Sequence, residues 1–472
     1  MSQLPSEAWP NANSIQSSSQ EILKVIRIKY KHVKIRRMIK DRTYNEFLSD
    51  PINRKLLEKV TSLESKIHDL SRLVNLQAYM EGFTFYTSSR YRGTPIDVIP
   101  RVISSDFYLE VSNYLINRTL ILNRLIKEVY QEKSVPIPDW IVKTTPFFKP
   151  EMVGFSPPKG MYVYVNGADI VRINGEPYIL EDNVRVPSGI AYAYKAFEYV
   201  QRFLPDLSEG YAVKEPSGLE YLYETLRYAS GSKDPVIALL TDGPLNSAYF
   251  EHRFISDRLG LVLAEPKDIG VKQGEVVVKT LDEGEVHVDV IYRRIEDLDV
   301  LTPELMKAYL RGWVTIANAP GVGIADDKAT FVWIPYLAER YGISLEGVRQ
   351  PITICLYERD NLQKVINNPA SYVIKKREGY GGIGLSILKD DSVSVLKELM
   401  KEYENFIAQE VLDFDTVVSA VGDSFYETFA DFRFFTYYDR VATAVLSRVG
   451  VVGSRVTNNS SGGMVKPVWI TG

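Results

Sequence analysis

The chain carries a single cysteine, Cys355, in 472 residues. One thiol cannot close an internal disulfide, which excludes a disulfide-stapled scaffold and fits a reducing compartment. Cys355 lies in the apolar run PITICLYE, which reads as a strand, so a buried, inert thiol is expected rather than a nucleophile. No stretch reaches the roughly 20 apolar residues needed to cross a bilayer. The longest candidate, RVATAVLSRVGVVGSRV, is interrupted by Arg448. The first residues, MSQLPSEAWPNANSIQSSSQ, are polar and lack the apolar core of a signal peptide. A cytoplasmic protein without a membrane partner is therefore expected. Neither charge is in large excess: the net charge of −4 excludes a global polybasic field that would draw the chain to nucleic acid or membrane. There is no G-x₄-G-K-[S/T] loop, which excludes a P-loop nucleotide site.

What remains is ordinary globular material, 45% hydrophobic and 25% charged. Its length suggests two to four structural units, because single cores rarely grow past roughly 250 residues. Residues 1 to about 20 read as unstructured. From Lys24 to Arg42, nine basic residues stand against one acid, Asp41, with Glu21 just before them; this is either a nucleic-acid arm or a solvated, docking helix face, and the second is the commoner case. Leu56, Val60, Leu63, Ile67, Leu70 and Val74 then form an a/d stripe, predicting one long amphipathic helix used for packing within the chain or for a homodimer. A second helix is expected from about Ser105 to Gln131, followed by a proline-rich connecting loop from Ser134 to Pro158. From Met161 the period changes to two, with an Asn174-Gly175 turn signal. Helices are expected at Ile190–Phe203 and Leu219–Tyr228. From Pro235 a strand–helix–strand order predicts a small α/β unit with a parallel sheet. Helices follow at Pro303–Arg311 and at Lys328–Arg340, then strands, a helix through about Tyr403, and a strand-rich end.

Residues 372–385 read YVIKKREGYGGIGL. Gly379, Gly381 and Gly384 satisfy G-x-G-x-x-G, but a dinucleotide fingerprint needs a helix after the loop, and LSILKDD reads as a strand. The loop is thus a hairpin flap. Four glycines in six residues (Gly379, Gly381, Gly382, Gly384) let backbone N–H groups approach phosphates that Cβ atoms would keep away. Lys375 ends the preceding strand, and Lys376 points to the other face.

A second constellation is Asp169 in NGADIVR with Glu181 and Asn183 in YILEDNVR. Glu181 and Asn183 share a strand face. A three-residue loop, Asn174-Gly175-Glu176, would place Asp169 opposite Glu181, whereas a two-residue loop would put them on opposite faces. The odd register yields two carboxylates and an amide oxygen on one patch, a donor set that suits Mg²⁺; an exposed hairpin with ordinary polar residues is the alternative.

The blocks PEMVGFSPPKGMYVYVNGADIVR, YILEDNVRVPSGIAYAY, LLTDGPLNSAYFEH, VDVIYRRIED, NAPGVGIADDKA, VIKKREGYGGIG, FIAQE and LSRVGVVGSRVTNNSSGG resemble the circularly permuted ATP-grasp proteins of type 2, which are similar to the synthetase domain of glutathionylspermidine synthase. The likeness runs from about Gly93 to the C-terminus. It implies a mixed α+β and α/β fold, a circularly permuted ATP-grasp fold with a small α/β pre-ATP-grasp unit and an N-terminal helical extension. The expected division is residues 1–85 as the extension, 86–234 as the first part of the metal lobe, 235–325 as the α/β unit, 326–404 as the phosphate lobe with its flap, and 405–472 as hinge and second part of the metal lobe.

The resemblance also implies roles. Asp169, Glu181 and Asn183 match magnesium ligands. Lys328 and Lys375 look like the lysines on the nucleotide phosphates, with Gly379, Gly381, Gly382 and Gly384 in the flap. Gln409, Glu410 and Leu412 look like the hinge that holds adenine and ribose. Arg448 resembles an arginine that stabilises the transferring phosphate, and Asp431 and Arg433 match a D-x-R pair beside it. Asn246, Glu251, His252, Arg293, Arg294 and Arg185 are expected on the substrate side. The family usually has proline where this chain has Lys376, and either Asn458 or Asn459 could match the amide of an N-S-S-x-G-G motif. The implied activity is an ATP- and Mg²⁺-dependent carboxylate–amine or peptide-type ligase that forms a carbon–nitrogen bond through an acyl phosphate. Its partners would be a small-molecule or peptide carboxylate and an amine acceptor. The rivals are an ATP-grasp phosphotransferase, for which His252 is the one histidine in a matching block, and a non-catalytic nucleotide-binding scaffold.

Overall fold

A computed structural model of the chain describes residues 51–87, 90–132, 134–280, 282, 284–296, 302–379, 385–387, 401–457 and 462–472. The basic segment 24–42, the unstructured reading of residues 1–20, flap glycines 381, 382 and 384, and the amides at 458 and 459 lie outside these residues.

The a/d stripe forms two helices, Pro51–Ser62 and Glu64–Met80, which meet at Leu63, and not the single expected one. Proline is at home at the first helical position, because its missing N–H would be unpaired there in any case. Leu56, Val60, Ile67 and Val74 are buried in the largest core cluster, beside Tyr192, Phe197 and Val418. The stripe is thus spent on packing within the chain. The helix Ser105–Lys127 starts where expected, because the Ser104 hydroxyl accepts from Phe107 N at 3.2 Å and caps it. The expected proline-rich loop contains a short helix, Asp139–Thr144. The helix predicted over 328–340 is split into Lys328–Phe331 and Ile334–Tyr341. Pro335 explains the break, since proline lacks the N–H that would continue the first segment.

Three sheets position the site. The largest has seven strands, with the order Met464–Lys466, Leu446–Val449, Ser424–Tyr437, Val165–Ile173, Glu176–Asn183; Thr416–Val421 and Arg440–Val441 also pair with the long strand Ser424–Tyr437. A strand near residue 430 therefore lies directly beside one near residue 170, which joins two distant parts of the chain into one antiparallel surface. The second sheet is parallel, with the order Thr315–Ala317, Val290–Arg293, Ile237–Leu240, Val262–Ala264, as the strand–helix–strand pattern predicts. The third is antiparallel: Thr353–Cys355, Phe406–Glu410, Tyr372–Lys376, Leu385–Ile387. Here the glycine loop joins two paired strands, so the hairpin reading holds and the dinucleotide one does not. Cys355 is buried, and burial pushes its thiol up to about 12.

Asn318 ties the parallel sheet to the large one. Its amide oxygen accepts from Tyr164 N at 2.7 Å and Val165 N at 2.8 Å, and its Nδ2 donates to Val165 O at 2.7 Å. No helix among the described residues is long and apolar enough to cross a membrane.

Candidate active site

The hairpin Val165–Ile173/Glu176–Asn183 sets the register on which the site depends. Its turn has two residues, Asn174 (φ 51°) and Gly175 (φ 86°), with Ile173 paired to Glu176. Both central residues at positive φ is the geometry that twists with the flanking strands, and Asn-Gly tolerates it. The expected three-residue loop is absent, yet Asp169 still faces Glu181, because the ladder shifts between Asp169 and Ile170. The pairs run Ile170–Ile179 and then Asp169–Glu181, which leaves Leu180 as the extra residue of a bulge. The odd residue comes from inside the strand and not from its turn.

Beyond the bulge the side chains alternate. Asp182 turns to the back, where Arg118 meets it: Nε lies 3.0 and 2.8 Å from its two oxygens and Nη2 lies 2.8 Å from Oδ2. Both side chains are sealed from solvent. Glu181 and Asn183 take the front. Asn183 Nδ2 donates to Gly167 O at 2.9 Å, and its amide oxygen has no protein partner among the described residues.

The neighbouring strands bring charge to that front face. Arg433 pairs with Asp169 across the ladder and Arg448 pairs with Asp431. Arg433 Nε donates to Asp169 Oδ1 at 2.6 Å and its Nη2 to Oδ2 at 2.8 Å; Arg448 Nη2 lies 2.8 Å from Asp169 Oδ2. Arg448 also donates to both oxygens of Asp431, at 3.0 and 2.6 Å, and Thr457 Oγ1 donates to Asp431 at 2.5 Å. Burial alone would raise the Asp169 pKa, but the two guanidinium groups outweigh it and hold the carboxyl well below its usual range. Burial likewise opposes the charge on Arg448, and Asp169 and Asp431 more than restore it.

The helix Lys328–Phe331 and the third sheet's strand Tyr372–Lys376 supply one lysine each. Lys328 Nζ donates to Gly379 O at 2.5 Å and lies 3.5 Å from Glu181 Oε2. Lys375 is buried and donates to Gln409 Oε1 at 2.8 Å. Its pKa is lowered to about 8, first by burial; Glu181 pushes it up and Lys328 pushes it down. The acidic hairpin and the base of the glycine loop thus meet at a single lysine. Two residues absent from the sequence-derived site hold this junction. Arg377 Nε and Nη2 donate to Asp327 at 3.1 and 2.7 Å, Nη1 donates to Thr144 Oγ1 at 2.8 Å, and the guanidinium lies 4.9 Å from the Trp140 ring centroid. Asp327 also caps the helix that carries Lys328. The signal was present in ADDKA and KKRE, but a pairing over 50 residues has no local pattern.

A family model described as circularly permuted ATP-grasp type 2 matches residues 100–450. The chain belongs to this family. It is 32% identical over 418 residues to an uncharacterized protein of Mycobacterium leprae, covering 83% of this chain and 74% of that one. It is 31% identical over 419 residues to a Frankia casuarinae protein named "Putative glutamate--cysteine ligase 2-2", covering 82% of this chain and 48%, about half, of the other. Among solved structures, a glutathione synthetase-like effector from Globodera pallida matches with a TM-score of 0.55 at 12% identity, over 85% of this chain and 96% of that one, a likeness of fold.

In this ATP-grasp chain the residues expected on the substrate side are mostly buried and engaged. Glu251 accepts from Gly189 N and Ala191 N at 2.7 and 3.1 Å, at the start of helix Ile190–Phe203, and from Arg294 Nη2 at 2.8 Å. Arg294 also donates to Pro187 O at 2.5 Å and to Ser188 Oγ. Arg293 Nε donates to Asn318 O at 2.7 Å. His252 shares a 2.8 Å hydrogen bond with Thr241, and burial holds its pKa well below the usual value. Asn246 accepts from Ala248 N at 2.8 Å. Glu251 and Arg294 brace the loop at 186–189, whose Ser188 O accepts from Arg433 Nη1 at 3.1 Å. Arg185 is held by Asp326 at 2.8 Å and Glu296 at 3.1 Å and lies 4.1 Å from the Phe147 ring centroid.

Gln409 already orients Lys375 and donates to Thr353 Oγ1 at 3.1 Å, Glu410 accepts from Ile352 N at 2.8 Å, and Leu412 O accepts from Arg455 at 2.7 Å. Among the described residues there is no group of three or more His, Cys, Asp or Glu side chains placed to hold a metal. The front face still fits a hard cation that keeps substrate oxygens and water: the Lys328 ammonium already rests against Glu181 as a stand-in positive charge, and the amide oxygen of Asn183 is beside it on the same strand face.

Proposed function

We propose that this protein is an ATP- and Mg²⁺-dependent ligase that activates a carboxylate as an acyl phosphate and joins it to an amine, releasing ADP and phosphate. Lys328 carries the reading, because it touches both the acidic hairpin at Glu181 and the glycine loop at Gly379. In this reading Lys328 and Lys375 bind phosphate oxygens, and the amides of the loop from Gly379 to Gly384 approach the same groups. Arg448 and Arg433 offset the charge that spreads over the transferring phosphoryl oxygens. Glu181 and Asn183 would hold Mg²⁺, which when bound shields the phosphates and orients the transfer. Gln409, Glu410 and Leu412 would border the base and ribose. Arg377 and Asp327 keep Lys328 aimed at the loop. The Frankia relative's name supports amino-acid or peptide-like carboxylates as the first substrates to try. A lone, buried thiol supports a reducing, cytoplasmic setting.

The test is incubation with Mg-ATP and pools of amino acids, polyamines and small peptides, with ADP and phosphate measured. Substrate-dependent ADP release with a new amide product is the expected result. Phosphorylated protein without a ligated product would favour phosphotransfer, a reading that the burial of His252 does not encourage. Nucleotide binding without turnover would favour a scaffold.

A further inference from the structure

We infer that the short helix Asp139–Thr144 sets the aim of Lys328, acting through Arg377, and so tunes nucleotide affinity from outside the phosphate contacts; this rests on the nucleotide reading above. A lysine carries its ammonium on a flexible four-carbon stem, so its reach depends on where its backbone is held. Lys328 opens a helix of four residues, Lys328–Phe331, too short to hold its place by its own hydrogen bonds. Arg377 supplies the constraint. The edge of its guanidinium that carries Nε and Nη2 grips Asp327, whose sealed carboxylate also accepts from Ala329 N at 2.9 Å. Such bidentate pairs are directional as well as strong. The backbones agree: Lys328 N donates to Arg377 O at 3.2 Å, and Arg377 N donates to Asn405 O at 2.9 Å.

The guanidinium needs a seat of its own, and the helix Asp139–Thr144 provides it. Ile141 and Val142 fix that helix in the core cluster that also holds Leu125, Ile316 and Ile407. Arg377 Nη2 donates to Ile141 O at 3.2 Å and Nη1 to Thr144 Oγ1 at 2.8 Å, across 233 residues of sequence. The Thr144 hydroxyl donates in turn to Trp140 O at 2.7 Å, which leaves its lone pairs for Arg377. Trp140 stacks on Tyr357 with ring centroids 4.1 Å apart and planes 4° apart, and the guanidinium lies 4.9 Å from the Trp140 ring. Arg377 and Thr144 are thus positioning residues whose effect on nucleotide passes through Lys328.

The test is a double-variant cycle on Mg-ATP affinity, measured by calorimetry on the full chain. It compares wild type, Lys328→Met, Arg377→Lys and the two together. Arg377→Lys keeps the charge and loses the fork. It should weaken ATP by about tenfold where Lys328 is present, the scale of one charge-assisted hydrogen bond, and by less than about twofold where residue 328 is already methionine. Lys375, Arg433 and Arg448 remain in that background to hold phosphate. Thr144→Val, which removes the hydroxyl and keeps the shape, should follow the same pattern with a loss of about threefold. A merely structural role would weaken ATP by the same factor in both backgrounds. That result, or no loss in either single variant, overturns the inference and leaves the nucleotide reading standing. Should Arg377→Lys not fold, the Thr144→Val cycle decides by the same rule, because Thr144 is exposed. A wild-type protein that binds no Mg-ATP takes down the nucleotide reading and this inference together.

Discussion

Glu181 and Asp182 are adjacent on one strand and live under opposite conditions. Glu181 faces the charged front, partly exposed, with a lysine held at 3.5 Å. Asp182 faces the back, where Arg118 and Asn166 consume its oxygens and solvent is excluded. The strand keeps one acid adjustable and locks the other. That contrast is what a binding face needs: ligands must replace weak contacts in front, while the backbone that aims those contacts cannot drift. Removing the front acid should therefore damage chemistry and spare the fold. Glu181→Ala, and likewise Lys375→Ala, should lower ATP turnover by about 10²–10³-fold, the scale expected when a group that stabilises developing charge is lost. Melting midpoints should remain near wild type. Turnover retained in both variants would break the distinction, since the front face would then be no site at all.

The back acid should behave in the reverse way. Asp182→Ala leaves Arg118 charged and sealed in the interior, and breaking one side of a buried pair costs about 3–5 kcal/mol. The joint replacement Arg118→Met/Asp182→Leu removes both charges and should recover most of that loss, because an apolar pair of similar volume is often as stable. Chemical denaturation of the three variants measures this directly. A double variant as unstable as the single one would mean that Arg118 acts through Tyr114 and Gln350, which it also contacts.

The next effect is smaller and separates affinity from stability. Burial lowers the Lys375 pKa to about 8, whereas an unfolded lysine titrates near 10.4. Between those values the unfolded chain binds the extra proton, so stability should rise with pH across this window. Nucleotide affinity should move the other way, because a neutral amine no longer attracts phosphate. ATP binding followed by calorimetry should weaken by up to about tenfold per pH unit above 8, and Lys375→Arg should flatten the curve, since arginine stays charged. Equal slopes in both proteins would place the titrating group elsewhere.

Much of this was legible in the sequence because it follows from short periods. Alternation placed Glu181 and Asn183 on one face, and glycine density between two strand-like runs marked a hairpin in place of a strand–helix fingerprint. The facing of Asp169 and Glu181 was also anticipated, but for the wrong reason: a longer turn was expected, and a bulge at Leu180 supplies the extra residue. Bulges have no local signature, because a partly buried leucine suits a bulge as well as a ladder position. The roles assigned to Asp169, Glu251 and Arg294 depended on neighbours that sequence spacing does not reveal. Arg433 lies 264 residues from Asp169, and Glu251 meets Gly189 and Arg294 only through the packing of a helix start against a loop. The split of the helix after Phe331 is written in Pro335, but the apolar period continues through it and masks the break.

A third acid on the same strand completes the contrast from the weakest side. Glu176, at the turn, lies 2.6 Å from Arg349, and both side chains are more than half exposed. The distance matches the tightest pairs in the interior, so distance alone would rank Glu176 first of the three acids. Water argues otherwise: an exposed pair gains little Coulomb energy, orders two mobile side chains, and is screened by salt. The hairpin tip is also held independently, because the Asp415 carboxylate accepts from Asn174 N at 2.9 Å. Glu176→Gln should therefore leave the melting midpoint within the scatter of replicate scans at moderate salt, and leave ATP turnover unchanged. A clear loss of stability that persists at high salt would show that exposure does not rank these acids, and that the strand answers to contact distance after all.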